Sequence, residues 1–297
     1  MKLAYFRDPK GNFGDDLNPW LWEKLLPSLI DDVDDGRILV GVGTILEPWF
    51  AADLPAAAKK IVVGSGAGMS VPTLAIDESW DIVCVRGPLT AAYLGLEASL
   101  AATDPAMCIR DLWSHSGTGS GRAGFMPHHR SLERFDWQRV CADAGIDFID
   151  PHAAPLDTLD QMAGLRLVLT EAMHGAIVAD ALRVPWFPLQ ISPINYVGKW
   201  HDWAASLRMP IHFKPLPDLY DPLRHRTPRE LLAGGLRPAL YEWRQGSSRR
   251  ERDRAVHLLR VYAEKYESYL SEDADLDRAI DLFRSRIARL ADGQKGN

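Results

Sequence analysis

The sequence predicts an α/β protein with two open, mostly parallel sheets followed by carboxy-terminal helices. Three observations carry this. Short β-branched runs alternate with helical patterns through the first two thirds of the chain, a Ser/Gly stretch divides that region, and strands vanish beyond Pro215. Strands are expected at Leu3–Phe6, Arg37–Val42, Lys60–Gly64 and Asp81–Val85, then at Ala123–His128, Asp147–Asp150, Leu165–Thr170 and Pro185–Leu189. Continuous apolar runs such as IVVG and LRLVLT suit strands buried on both faces, as parallel sheets require. Between the two groups, Ser114–Gly121 (SHSGTGSG) can hold neither helix nor strand and reads as a linker.

The expected organisation is a Rossmann-like lobe over 1–113, a second over 122–215, and a helical segment over 216–297 packing back on both. Two helices are expected between Ser248 and Leu290. Val256, Leu259, Tyr262, Tyr266, Tyr269 and Leu270 form the apolar face of the first, and Leu276, Ile280, Phe283, Ile287 and Leu290 that of the second.

Composition excludes several functions. A net charge of −6 argues against a nucleic-acid binder. No apolar run approaches the ~20 residues that span a bilayer, and the opening MKLAYFRDPKGN is too short for a secretory apolar core, so a cytoplasmic location is expected. Cys84, Cys108 and Cys141 have no CxxC spacing, and the two inside apolar strand-like runs read as buried small hydrophobes. The ten tryptophans are read mainly as packing residues, although an indole can also stack on a sugar face. Asp32-Val33-Asp34 has a DxD form but reads as a solvated turn.

Ligands of open α/β sheets bind beyond the carboxyl ends of strands, so the residues following each strand are the candidates. After strand one, Gly11, Asn12, Gly14 and Asp15 offer backbone amides and a carboxylate, with Asn18-Pro19 suited to cap and start a helix. After strand three, Val63–Met69 (VGSGAGM) makes a tight turn at Gly64, Ser65 and Gly66, but Met69 occupies the place of the third glycine of a dinucleotide fingerprint. After strand four, Arg86 precedes Gly87-Pro88 at a helix start. It would either bind an anion through its planar fork or pair with an acidic neighbour between the lobes. In the second lobe, His174-Gly175 stands where a loop meets a helix after LRLVLT. His128 and His129 follow a strand without Cys or carboxylate at metal-ligand spacing, so no metal site is expected.

In this order, GNFGDDLN (11–18), VGSGAG (63–68), VRGPLT (85–90), DPAM (104–107), PHH (127–129) and EAMHGAIVADALRVPW (171–186) resemble the polysaccharide pyruvyltransferase family, in its succinoglycan-type exopolysaccharide branch. The resemblance covers roughly the first 200 residues. It implies a glycosyltransferase-like (GT-B) architecture and transfer of pyruvate from phosphoenolpyruvate, as a cyclic ketal, to a hexose of a lipid-linked oligosaccharide. It implies neither cofactor nor metal. His174 and Arg86 match its catalytic and anion-binding positions. Gly11, Asn12, Gly14, Gly64, Ser65 and Gly66 would line the donor site, while Asp15, His128, His129 and Glu171 would orient the acceptor. Some members carry an Arg two residues before the catalytic His. Ala172 stands there in this chain, leaving Arg7 and Arg110 as substitutes by placement.

Two rival functions share the fold: a nucleotide-sugar glycosyltransferase and a catalytically silent scaffold of an assembly complex. Arg237, Arg244, Arg249, Arg250, Arg252, Arg254 and Arg260 form either a solvated face paired with Glu251 and Asp253 or a peripheral contact with anionic inner membrane.

Overall fold

A computed structural model describes residues 1–27, 29–31, 33–114, 117, 119–191, 197–222, 224 and 246–292. Asp32, linker positions 115, 116 and 118, and Arg237 and Arg244 lie outside the described residues.

The first half builds a four-stranded parallel sheet from β1 (Lys2–Ala4), β2 (Arg37–Val40), β3 (Lys59–Ser65) and β4 (Trp80–Val85), in sequential order. Six consecutive residues of β3 are buried, as a central strand covered on both faces demands. Its register with β4 shifts around Gly64, which takes a positive φ of 77°. A Cβ there would run into the ring of Pro105, so glycine lets the turn at Pro105–Cys108 pack directly on the strand.

The second half is a five-stranded parallel sheet of β5 (Ala123–Met126), β6 (Asp147–Phe148), β7 (Leu167–Thr170), β8 (Trp186–Gln190) and β9 (Lys214–Pro215), ordered β6-β5-β7-β8-β9. The order reverses between β5 and β7. That crevice, at Met126 and Thr170, is the topological switch point where doubly wound sheets bind ligands. The expected strand group is thus present, and β9 adds to it beyond the eight strands expected.

The helices that position the site are α1 (Phe13–Asp16), α2 (Asn18–Leu25), α3 (Pro48–Ala51), α4 (Pro88–Tyr93), α5 (Ile109–Leu112), α6 (His129–Arg134), α7 (Trp137–Ala144), α8 (Pro155–Ala163), α9 (Met173–Ala181) and α10 (Gly198–Ser206). Two longer ones follow, α11 (Arg249–Lys265) and α12 (Asp273–Asp292). α11 packs on α7 and β7, whereas α12 returns to β4 and the Pro105–Cys108 turn. Leu276, Ile280, Phe283 and Ile287 of α12 are buried at the expected spacing. The apolar stripe expected for α11 runs too far: the helix stops at Lys265, and Tyr269 instead pairs its backbone with Trp186.

One apolar cluster takes residues from both sheets and from α12, including Leu39, Val63, Met126, Val168, Trp186 and Phe283. Trp22, Trp137, Trp186, Trp200 and Trp203 are fully buried, in keeping with a packing role. All three cysteines are free and buried, and burial pushes the thiols of Cys84 and Cys108 up to about 12. Among the described residues no helix is long and apolar enough to cross a membrane.

Candidate functional site

A cavity of about 510 Å³ opens between the carboxyl ends of the two sheets. The first half contributes Phe6, Asn12–Asp15, Thr44, Ile45, Trp49 and Gly68, and the second Met126, His128–Arg130, Pro151, Ala172–His174 and Lys199. It therefore includes the switch point of the second sheet.

His174 is set by β7 and α9. The four residues of β7 are buried, and Thr170 turns the chain through paired hydrogen bonds with the backbone of Ala172. Gly175 is required next, because a Cβ would overlap Thr170 Oγ1. The imidazole, 12% exposed, points Nε2 at Asp104 Oδ2 across 3.7 Å. Asp104 itself is sealed from solvent at the start of the Pro105–Cys108 turn, where Oδ1 accepts from the amide of Ala106 at 3.0 Å. Neither Nε2 nor Oδ2 has a hydrogen-bond partner elsewhere. Nε2 therefore faces the carboxylate, and Nδ1 is the ring nitrogen turned away from it. Nδ1 packs against Gly14, where any Cβ would overlap the ring. Asp104 lies in the DPAM string, but the sequence assigned it no role. Its only local signal was an Asp-Pro turn start.

Asp15 shares this wall. Asn12 Nδ2 donates to Asp15 Oδ2 at 2.6 Å, and burial raises the carboxyl to about 6 despite the opposing charges of His174 and Lys199. Asn18 does not cap α2. Its buried amide instead donates to the carbonyls of Asp15 and Val42 and accepts from Val42 N–H and Trp22 Nε1, tying α1 to the end of β2. Gly11, with φ of 89°, lies against the His152 carbonyl and is not in the cavity wall.

The other glycine-rich turn also faces protein. Ser65 donates to the carbonyls of Val40 and Gly41, Gly64 meets Pro105, and a Cβ at Gly66 would overlap the Arg86 guanidinium. Of VGSGAG, only Gly68 reaches the cavity wall. Arg86 is 0% exposed and does not line the cavity. Its Nε donates to Asp202 Oδ2 at 3.1 Å, and Nη1 to Thr44 Oγ1 at 2.9 Å. Asp202, on α10, also accepts from Thr90 N–H and Oγ1. The pairing with an acidic neighbour across the halves is the alternative that the geometry favours over direct anion contact.

Glu171 is likewise buried in the loop, accepting from His128 N–H at 2.9 Å and Ser131 Oγ at 3.0 Å, and is absent from the cavity wall. His128 and His129 do line it, with rings 4.2 Å apart. Burial holds His128 well below the usual imidazole range, helped by the charges of Lys199, His129 and Arg130. Because its Nδ1 accepts from Arg130 N–H, the proton sits on Nε2. Among the described residues no group of three or more His, Cys, Asp or Glu could hold a metal ion.

The cations at the cavity differ from those expected. Arg7 stacks on Tyr5 and Arg110 pairs with Asp277 and Asp273, whereas Arg130 and Lys199 line the wall. Lys199 carried no sequence signal, since it follows no recognisable string. In the basic stretch, Glu251 is occupied in a capping box with Ser248, Arg249 faces Asp253, and Arg260 donates to the carbonyls of Asp143 and Ala144. Trp49 stands at the cavity 50% exposed, held edge-on by Phe6 and Phe50.

Two parallel sheets with a ligand-sized cavity at their strand ends, walled by His174 with Asp104 behind it and by Arg130 and Lys199, define an open α/β protein. Residues 5–193 match the sequence profile of the polysaccharide pyruvyl transferases, and the chain belongs to that family. It is 42% identical over 209 residues to the succinoglycan biosynthesis protein ExoV of Rhizobium meliloti (strain 1021), a match covering 70% of this chain and 65% of that protein. The chain thus spans just under two thirds of that relative's length. No solved structure matches it significantly.

Proposed function

We propose that the protein transfers pyruvate from phosphoenolpyruvate onto a hexose of a lipid-linked oligosaccharide, forming a cyclic ketal in exopolysaccharide biosynthesis. Family membership supports the reaction class, and the observation that carries the site is His174, backed by buried Asp104, in the wall of a cavity shared by both sheets. The two halves correspond, in this reading, to the lobes of a GT-B enzyme, 1–113 and 122–215, with α11 and α12 bracing them. The reaction takes place in the cytoplasm, beside the inner membrane that carries the acceptor.

In the first step the methylene carbon C3 gains a proton, the C2–C3 double bond becomes single, and one sugar hydroxyl bonds to C2 as it gives up its own proton, so no net proton is consumed. In the second, another hydroxyl displaces phosphate from C2 and its proton leaves with the phosphate. Per ketal, one donor and two hydroxyl groups yield one methyl group and one phosphate. His174 delivers or removes these protons through Nδ1 while Asp104 holds the ring, a role of about 10²–10⁴-fold in rate. Asp15, with its carboxyl near 6, is poised to accept a hydroxyl proton. Arg86 acts through Thr44 and Asp202 as a positioning residue. Trp49, apolar on its face and open at the mouth, offers a platform for the hexose.

The test is incubation with phosphoenolpyruvate and a lipid-linked oligosaccharide, followed by mass analysis and phosphate assay. A pyruvyl ketal with equimolar phosphate is expected, and a loss of about 10²-fold or more in His174→Gln. Stabilisation by a sugar nucleotide with no response to phosphoenolpyruvate would place the protein among glycosyltransferases instead.

A further inference from the structure

We infer that Lys199 grips the anionic head of the donor, making the first turn of α10 the phosphate side of the cavity. This rests on the donor reading above, and three observations lead to it.

The first is that Lys199, half-buried, faces the cavity with no hydrogen-bond or ion-pair partner among the described residues. A partly desolvated ammonium facing an open cavity without a counter-ion is a ready partner for an anionic ligand. The second is the local field. Arg86 from the end of β4 and Arg130 from α6 press on Lys199 with like charge, and Asp15 from α1 and Glu171 from the end of β7 oppose them. Both arginines and the burial of Lys199 outweigh the carboxylates, and the ammonium is held down to about 8. It remains mostly protonated at neutral pH, beside the neutral His128 whose Nε2–H is a further donor.

The third is rigidity. On the same helix, three residues on, Asp202 is clamped by Arg86 and Thr90, while Trp200 and Trp203 are fully buried. The Lys199 backbone is therefore fixed before any ligand arrives, and only the flexible stem has to be ordered. Ala172, two residues before His174 in the same cavity wall, carries only a methyl group and cannot serve instead.

The experiment compares wild type, Lys199→Met and Lys199→Arg by calorimetric titration with phosphoenolpyruvate and, separately, inorganic phosphate, without acceptor. Losing one charge-assisted contact should weaken phosphoenolpyruvate binding about tenfold to a hundredfold in Lys199→Met, with the melting temperature unchanged or raised. Lys199→Arg should retain most of the binding. Between pH 7 and 9.5 the donor phosphate (pKa about 6) and Asp15 are both ionised, so Lys199 alone among these groups loses charge. Wild-type affinity should then fall as pH rises through about 8, while that of Lys199→Arg stays level.

Equal phosphoenolpyruvate affinity in wild type and Lys199→Met overturns the assignment. A wild type that ignores phosphoenolpyruvate but binds inorganic phosphate in a Lys199-dependent way sinks the donor reading and keeps the anion site. If neither anion binds either protein, the Lys199 assignment falls.

Discussion

Asp15→Asn exchanges a carboxyl that burial holds at about 6 for a neutral amide of the same shape. In the unfolded chain the group titrates near its ordinary 3.8, so folding takes up a proton between these values. The contribution of Asp15 is therefore most favourable below pH 4, is lost progressively as pH rises from about 4 to 6, and reaches its full cost above 6. A rise from 3.8 to about 6, at about 1.4 kcal/mol per tenfold in proton affinity, gives a cost of about 3 kcal/mol at neutral pH. The amide avoids this cost and still accepts from Asn12 Nδ2. Asp15→Asn should therefore melt several degrees above wild type at pH 7.5. The gap should shrink to about half at pH 5 and nearly close at pH 4. The same variant should lose about 10²-fold or more in ketal formation, because an amide takes no proton. Paired melts across that pH range with turnover at neutral pH make the measurement. A variant less stable than wild type at pH 7.5, or a gap that ignores pH, refutes the reasoning.

Three other perturbations probe the surrounding framework. Gly14→Ala drives a methyl into the His174 ring, so kcat should fall about 10²-fold or more while circular dichroism stays native; wild-type turnover would show that the ring has room to move. Arg86→Lys should lower the melting temperature by a few degrees, for about 1–3 kcal/mol of lost hydrogen bonding to Asp202 and Thr44, and change phosphoenolpyruvate affinity by less than about threefold. A tenfold loss of affinity with an unchanged melt would return Arg86 to direct donor contact. Trp49→Ala should raise the KM for the oligosaccharide about tenfold, leaving that for phosphoenolpyruvate alone; an unchanged acceptor KM removes the platform.

What the sequence made legible follows from the range of each signal. The β-branched runs that became β3 and β7 are local, and so is the loop-to-helix step that presents His174. Both were readable. The partners of functional side chains were not, because contact distance is unrelated to sequence distance. Asp104 stands opposite a histidine 70 residues later, and Asp202 meets an arginine 116 residues earlier. An arginine ending a strand before Gly-Pro looks the same whether its fork turns to a ligand or to another helix, and Arg86 turned to the helix. Glycines misled for the same reason. Gly11, Gly64 and Gly66 seemed to invite a ligand's approach, yet the atoms that approach them belong to His152, Pro105 and Arg86.

The apolar cluster that draws on both sheets and α12 constrains how the cavity can be filled. Swinging the sheets apart would bring Met126, Val168 and Phe283 into water together with Leu39 and Val63, at roughly 1.5–3 kcal/mol for each large side chain exposed. Such a sum competes with the whole stability of an ordinary protein. The halves are thus welded rather than hinged, and a ligand has to reach the cavity past half-exposed Trp49 without the sheets parting. The size of molecule that fits is then set by the standing cavity and not by a closing movement of the halves.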